Sequence, residues 1–212
     1  MSNTVQRSYK TTLLTSFQQN IQTQQGLLDI FFDSNKSWIK SIAVQDLILN
    51  EIIKYNENEE IERNKLFSSL VSLRRENSYI ERIFITTLGG AIITSSTTDD
   101  KDKVITDTNF IKIINTNRTP YYHHIFENEQ KIRMIRLTTP FIQKSNGKVI
   151  GALTADFNVG IIRNLFQSYE SNNQSENGSD FAQAYIIDYD GVPLTSVDNE
   201  IITPLNKTTP YS

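Results

Sequence analysis

The chain of 212 residues contains no cysteine. Disulfides, thiolate nucleophiles and cysteine-based metal sites are therefore excluded. No apolar run reaches the roughly 18 residues that a membrane-spanning helix needs. The opening Met1-Ser2-Asn3-Thr4 lacks the basic-then-apolar pattern of a signal peptide. A basic excess is also missing: 21 Lys and Arg stand against 24 Asp and Glu, and the net charge is -3. Nucleic-acid binding usually leaves a basic stripe, so no nucleic-acid partner is expected. No Ser-His-Asp order, P-loop, G-x-G-x-x-G or H-E-x-x-H occurs, so no enzyme and no cofactor is expected. Asp99, Asp100 and Asp102 lack the glycine and distal glutamate of a calcium loop and read as a solvated turn.

Hydrophobic residues make up 38%, enough to build a core. The first third carries them at helical spacing. Leu14, Phe17, Ile21, Gln24, Leu28, Phe31, Asn35, Trp38 and Ile42 step by three and four, with Leu13 and Leu27 widening the stripe. So wide an apolar face must pack on a partner helix, on its own domain, or on both. Tyr55 to Glu60 is a polar break. A second helix follows with Ile61, Leu66, Phe67, Leu70, Val71 and Leu73 apolar, and Arg74 and Arg75 suit its C-terminus.

The period then shortens to that of strands. Ile80 to Thr86 and Ala91 to Thr94 form a hairpin around Gly89-Gly90. Thr97 to Asp102 is a polar loop and Thr108 to Ile114 a short helix or turn. Tyr121 to Phe126, Lys131 to Thr139 and Lys148 to Phe157 read as three more strands, the last two joined through Asn146-Gly147. A helix begins near Gly160. Two helices, five antiparallel strands and a helix make an α+β layout. After the polar linker 170–180, Tyr185 to Ser196 repeats the pattern of Phe84 to Ser95, with Gly191 falling 101 residues after Gly90. Such a repeat suggests tandem domains of one kind.

Several side chains could carry chemistry. Asp156 lies in an otherwise apolar strand, where it either meets a ligand or caps the helix near Gly160. Thr154 shares its face. Tyr122 and His124 share one face of their strand, Tyr121 and His123 the other, so one pair lines any pocket and the two histidines cannot together hold a metal. Arg133 and Arg136 point to opposite faces. Either one of them meets an anionic ligand, or both are solvated or pair with acids such as Glu127 or Glu129.

The order of these segments resembles the Cache family of PAS-like sensor domains. The resemblance is carried by Ile83 to Ser96, Thr138-Thr139-Pro140-Phe141, Asn146 to Asp156 and the second-module stretch Tyr185 to Ser196. It is closest to double Cache domains of chemoreceptors and sensor kinases. The resemblance implies a long N-terminal helical region (1–57), a membrane-distal Cache module (58–169), the linker 170–180 and the start of a membrane-proximal module (181–212). It implies an extracytoplasmic domain, periplasmic or extracellular, of a receptor embedded in the inner membrane, dimeric through its first helix. A small molecule would bind in the distal module at Asp156, Tyr121, Tyr122, His124, Phe110, Arg136 and Thr154. Amino-acid-binding members carry an Arg, a Trp-Tyr pair and an Asp just after the first hairpin. Here Asp107 to Lys112 lacks the Arg, the Trp and that Asp, and Phe110 stands where Tyr is usual. Asp156 matches the Asp of the final strand, and Tyr121 or Tyr122 the later Tyr. The alternative is a Cache-like module with a filled core and an exposed apolar patch that binds a partner protein.

Overall fold

The computed structural model describes residues 3–100 and 103–162. The linker, the repeat at Tyr185 to Ser196 and the second module lie outside these. The chain divides into two units, Asp33–Val159 and a second formed by Met1–Phe32 with Gly160–Ser212. Among the described residues no helix is long and apolar enough to cross a membrane.

Helix α1 runs Asn3–Ala43, α2 Asp46–Asn56 and α3 Arg63–Glu76. The helical region expected over 1–57 is thus two helices, parted at Val44 and Gln45. Neither a proline nor a glycine breaks it. Gln45 takes an extended backbone (φ -65°, ψ 125°), and the turn brings Ile48, Leu49 and Ile52 of α2 into the same core as Ile39 and Ile42 of α1.

Strands β1 (Ile80–Thr86) and β2 (Ile92–Ser95) form the first hairpin, and α4 (Thr108–Thr116) follows. Next come β3 (Tyr121–Tyr122), β4 (Phe126–Glu127), β5 (Arg133–Ile142) and β6 (Val149–Asn158). The sheet is antiparallel and has six strands, in the order β2-β1-β6-β5-β3, with β4 also on β5. The stretch read as one strand from Tyr121 to Phe126 is two short ones. Tyr122 pairs with Leu137 and Phe126 with Met134, so His123, His124 and Ile125 stand against Ile135 and Arg136 only. One extra residue on one strand breaks the ladder and shifts the alternation of faces. Pro140 is tolerated inside β5 because β3 covers only Leu137 and Thr138, leaving the chain an edge beyond them.

The two faces of the sheet bury different things. Odd-numbered residues (Ile83 and Ile85 of β1, Leu137 and Phe141 of β5, Leu153, Ala155 and Phe157 of β6) pack with the helices on Ile39, Ile42, Ile48, Ile52, Leu66 and Leu70. Even-numbered residues, except Ile80 and Ile150, which lie beside register shifts and join the helix side, turn the other way. There Phe84 and Ala152 join Ile92 and the α4 residues Phe110 and Ile114 in a second, smaller cluster. With helices on one side and α4 with its loops on the other, β6 is buried along nearly its whole length. This explains why its sequence reads as almost continuously apolar or small.

Candidate functional site

The even-numbered face carries the polar groups. Arg82, Asp156 and Arg136 occupy one register position on the adjacent strands β1, β6 and β5. Their side chains therefore project side by side. Arg136 donates Nε to Oδ1 of Asp156 at 2.7 Å and Nη2 to Oδ2 at 3.0 Å. Arg82 donates Nε and Nη2 to the same Oδ2 at 3.1 and 2.7 Å. Asp156 is 2% exposed. A carboxylate this deep requires charge-assisted partners, and two guanidinium groups supply them.

The chain of charges continues to the sheet edge. Arg82 donates Nη1 to Oδ1 of Asp100 at 3.0 Å, and the hydroxyls of Ser95 and Thr97 donate to Oδ2, each at 2.7 Å. Asp100 belongs to a 3-10 turn (Thr98–Asp100) and is buried rather than solvated. Burial alone would raise its carboxyl. The two hydroxyls and the Arg82 guanidinium more than offset this and hold it below the usual range.

Aromatic rings hold the guanidinium groups from below and beside. Arg82 lies 4.6 Å and Arg136 5.4 Å from the ring centre of Phe84. Arg136 also lies 4.5 Å from Phe126 and 5.7 Å from Phe110. These are cation–π distances. His123 stacks on Phe110 at 5.3 Å and meets Tyr121 edge-on at 5.4 Å. Its Nε2 is 2.9 Å from Oγ1 of Thr138, which in turn is 3.1 Å from Oγ1 of Thr154. Burial first, then the Arg136 guanidinium, push the imidazole down to about 4. His123 is therefore neutral near pH 7.

Above this floor opens a cavity of about 600 Å³. Arg136, Tyr121, His123, His124 and Phe126 line it from the sheet side, and Asp107, Asn109, Lys112, Ile113 and Thr116 from α4 and its start. Asp107 caps α4 by accepting the backbone N–H of Asn109 at 2.8 Å. The structure thus gathers Tyr121, His124 and Arg136 at the cavity, with Phe110, Thr154 and Asp156 buried on the same face beneath it. Tyr122 is placed otherwise. It turns to the helices, packs on the main core and has Lys36 5.8 Å from its ring centre. Burial, with Asp33 adding, pushes its phenol up.

Arg136 pairs with Asp156, not with Glu127 or Glu129; Glu129 lies 3.8 Å from Lys103. Asp156 has both oxygens taken by Arg82 and Arg136. Sequence reasoning missed Arg82, Lys112 and, as a site residue, His123. For His123 the alternation offered two choices, and only the pairing of Tyr121 with Thr138 decides between them. Arg82 had a signal: it is the one basic residue in an Ile- and Phe-rich strand.

No protein-family model matches the sequence, and none of the curated proteins matches it. Solved structures match in fold. The sensor domain of the V. cholerae histidine kinase DctB superposes with a TM-score of 0.61 at 10% identity, over 74% of this chain and 60% of that one. The ligand-binding domain of the Campylobacter jejuni chemoreceptor Tlp3, in complex with L-valine, gives 0.61 at 14% identity, over 84% and 81%. The E. coli DcuS sensor domain gives 0.50 at 13%, over 69% and 98%. The chain spans less than two thirds of the DctB sensor domain. The fold is the PAS-like Cache fold that these sensor domains have.

Proposed function

We propose that this chain is the extracytoplasmic ligand-sensing region of a membrane-embedded receptor, a chemoreceptor or a sensor kinase, and carries no catalysis of its own. The observation that carries the reading is the cavity of about 600 Å³ beside α4, where Arg136, Lys112, Tyr121 and His123 converge over a buried ionic floor. Ligand sites are typically clefts of roughly 300–1,000 Å³ with a few convergent polar groups. The alternative, a module that binds a partner protein, predicts a filled core and an exposed apolar patch. On this reading residues 58–169 are the membrane-distal module, and 181–212 begin a second, membrane-proximal one. The stripe on α1 then pairs two copies. A ligand favouring one arrangement of the pair shifts the population toward it.

The test is a thermal-shift screen of the chain against carboxylates, amino acids, amines, sugars and nucleobases. A ligand at about 100 times its Kd adds roughly 2.7 kcal/mol and raises the melting temperature by a few degrees. A hit that disappears in Arg136→Gln, with the variant still folded, supports the reading. Silence across the whole panel counts against it and favours a protein partner.

A further inference from the structure

The ionic floor also bears on which ligands the cavity accepts; the inference rests on reading the cavity as the ligand site. Asp156 offers nothing to a cation, since Arg82 and Arg136 take both of its oxygens. Arg136 keeps one edge free. Its Nε and Nη2 face Asp156, while Nη1 hydrogen-bonds to no group among the described residues, and Arg136 lines the cavity. That nitrogen is not sealed in, because Thr86 Oγ1 is the one buried side-chain N or O atom among the described residues without a partner. Lys112, exposed on α4, lines the opposite wall and makes no ion pair among the described residues. Against these two cations the lining holds one carboxylate, Asp107. It is exposed and already caps α4. His123 is neutral and adds no charge. The rest of the lining includes Ile113, Ile125 and Phe126.

We propose that the cavity takes a small carboxylate with a short apolar body and no ammonium group, its anion held between Arg136 Nη1 and Lys112. The free edge of a guanidinium suits a carboxylate oxygen, and the ammonium of Lys112 a second one. An α-amino acid sets a positive group on the carbon next to that carboxylate. Here it falls beside the Arg136 guanidinium, with Asp156 already neutralised behind it. The exposed Asp107 is a weak compensation, because solvent screens it. Amines have the same difficulty and lack the anion as well.

Matched triads test this by titration calorimetry on the whole chain. One triad is 3-methylbutanoate, L-valine and isobutylamine; another is 3-phenylpropanoate, L-phenylalanine and phenethylamine. In at least one triad the carboxylate is expected to bind about tenfold more tightly than its amino acid, with the amine silent, the size of one lost charged contact. Arg136→Gln is expected to abolish the signal. Because that change disturbs the buried floor, Lys112→Gln serves as the decisive variant. It alters only an exposed side chain, and it is expected to weaken the carboxylate about three- to tenfold. An amino acid or amine that binds as well as its carboxylate, and whose affinity changes in either direction in Lys112→Gln, overturns the proposal while leaving the cavity as the ligand site. Silence in every triad overturns the proposal and leaves the cavity reading to the wider panel, whereas binding indifferent to Lys112→Gln overturns both.

Discussion

Arg136 meets Asp156 through two parallel hydrogen bonds, 2.7 and 3.0 Å long, from the neighbouring strand at the same register position. Arg82 approaches the same carboxylate from the strand on its other side. A buried ion cluster of this kind contributes little net stability, because desolvation offsets the attraction. Removing one member is a different matter. Asp156→Ala leaves two guanidinium groups facing each other below the surface, and it is expected to cost roughly 3–5 kcal/mol in urea unfolding. A loss under about 1 kcal/mol would mean that the arginines rearrange freely. Replacing Arg82, Asp156 and Arg136 together by Met, Leu and Met removes that repulsion but takes Arg82 from the buried Asp100, so it is expected to recover only part of the loss. The triple variant then separates stability from ligand binding, which it should lose.

The pH dependence is predicted from His123. Its folded value, about 4, lies below the ordinary 6.5. Between those values the unfolded chain binds the proton and the folded one does not, so stability falls as pH is lowered from about 6.5 toward 4. The groups that set this are Arg136 and His124, which push the value down with burial, and Asp107 and Asp156, which pull it up. Between pH 7 and 5 the loss is on the order of 2 kcal/mol. His123→Phe keeps the stacking on Phe110 and removes the proton site, so its stability should vary less over that interval. Parallel urea titrations at pH 7, 6 and 5 decide it; equal slopes for the two proteins would exclude His123 as the source.

How far the sequence alone reaches can be seen at β6 and at the histidines. The apolar stretch Val149 to Phe157, the Asn146-Gly147 turn and the two-residue period place Asp156 and Thr154 on one face, and the structure agrees. Partners across strands are another matter. Nothing in Ile80 to Thr86 says that β1 will lie against β6, so Arg82 could not be matched to Asp156 before the topology was known. The extra residue among His123, His124 and Ile125 is equally invisible. Strict alternation puts His123 and Phe126 on opposite faces. The extra residue swings Phe126 back over Arg136, where it covers the guanidinium. The break at Val44 carries no proline or glycine either; it is imposed by where Ile48 and Ile52 find their core.

The α2–α3 junction offers a test away from the cavity. Glu62 precedes α3 and provides no side-chain cap. Glu51, 6% exposed on α2, accepts the backbone N–H of Glu62 through Oε2 and the Lys54 ammonium through Oε1, each at 2.7 Å. The Lys54 hydrogen bond, then that of Glu62, holds its carboxyl below the usual value. Glu51→Ala is expected to cost about 2 kcal/mol, the worth of a lost charged hydrogen bond at a buried donor. Glu51→Gln, which keeps the acceptor, should recover part of this. Chemical denaturation of the two variants measures the difference; equal losses would show that charge and not the N–H contact matters.

The adjacent glycines of the first turn make opposite predictions. Gly90 has φ +85°, and a Cβ built on it would collide with the carbonyl oxygen of Ile105. Gly89 has an ordinary backbone, and a Cβ there meets only Thr87 Oγ1 at 3.8 Å. Gly90→Ala is therefore expected to cost about 1–3 kcal/mol through the left-handed backbone and the clash. Gly89→Ala should stay within about 0.5 kcal/mol or gain slightly, because it narrows the unfolded ensemble. The effect of Gly90 should reach the cavity as well. The N–H of Ile105 donates to the Gly90 carbonyl at 2.9 Å, and two residues later Asp107 opens α4, which forms the far wall. If Gly90 sets the seating of that helix, Gly90→Ala weakens ligand binding more than its stability loss explains, while Gly89→Ala leaves binding unchanged. Thermal denaturation and ligand titration on the same two proteins measure both effects, and equal binding in the two would confine the role of Gly90 to the turn.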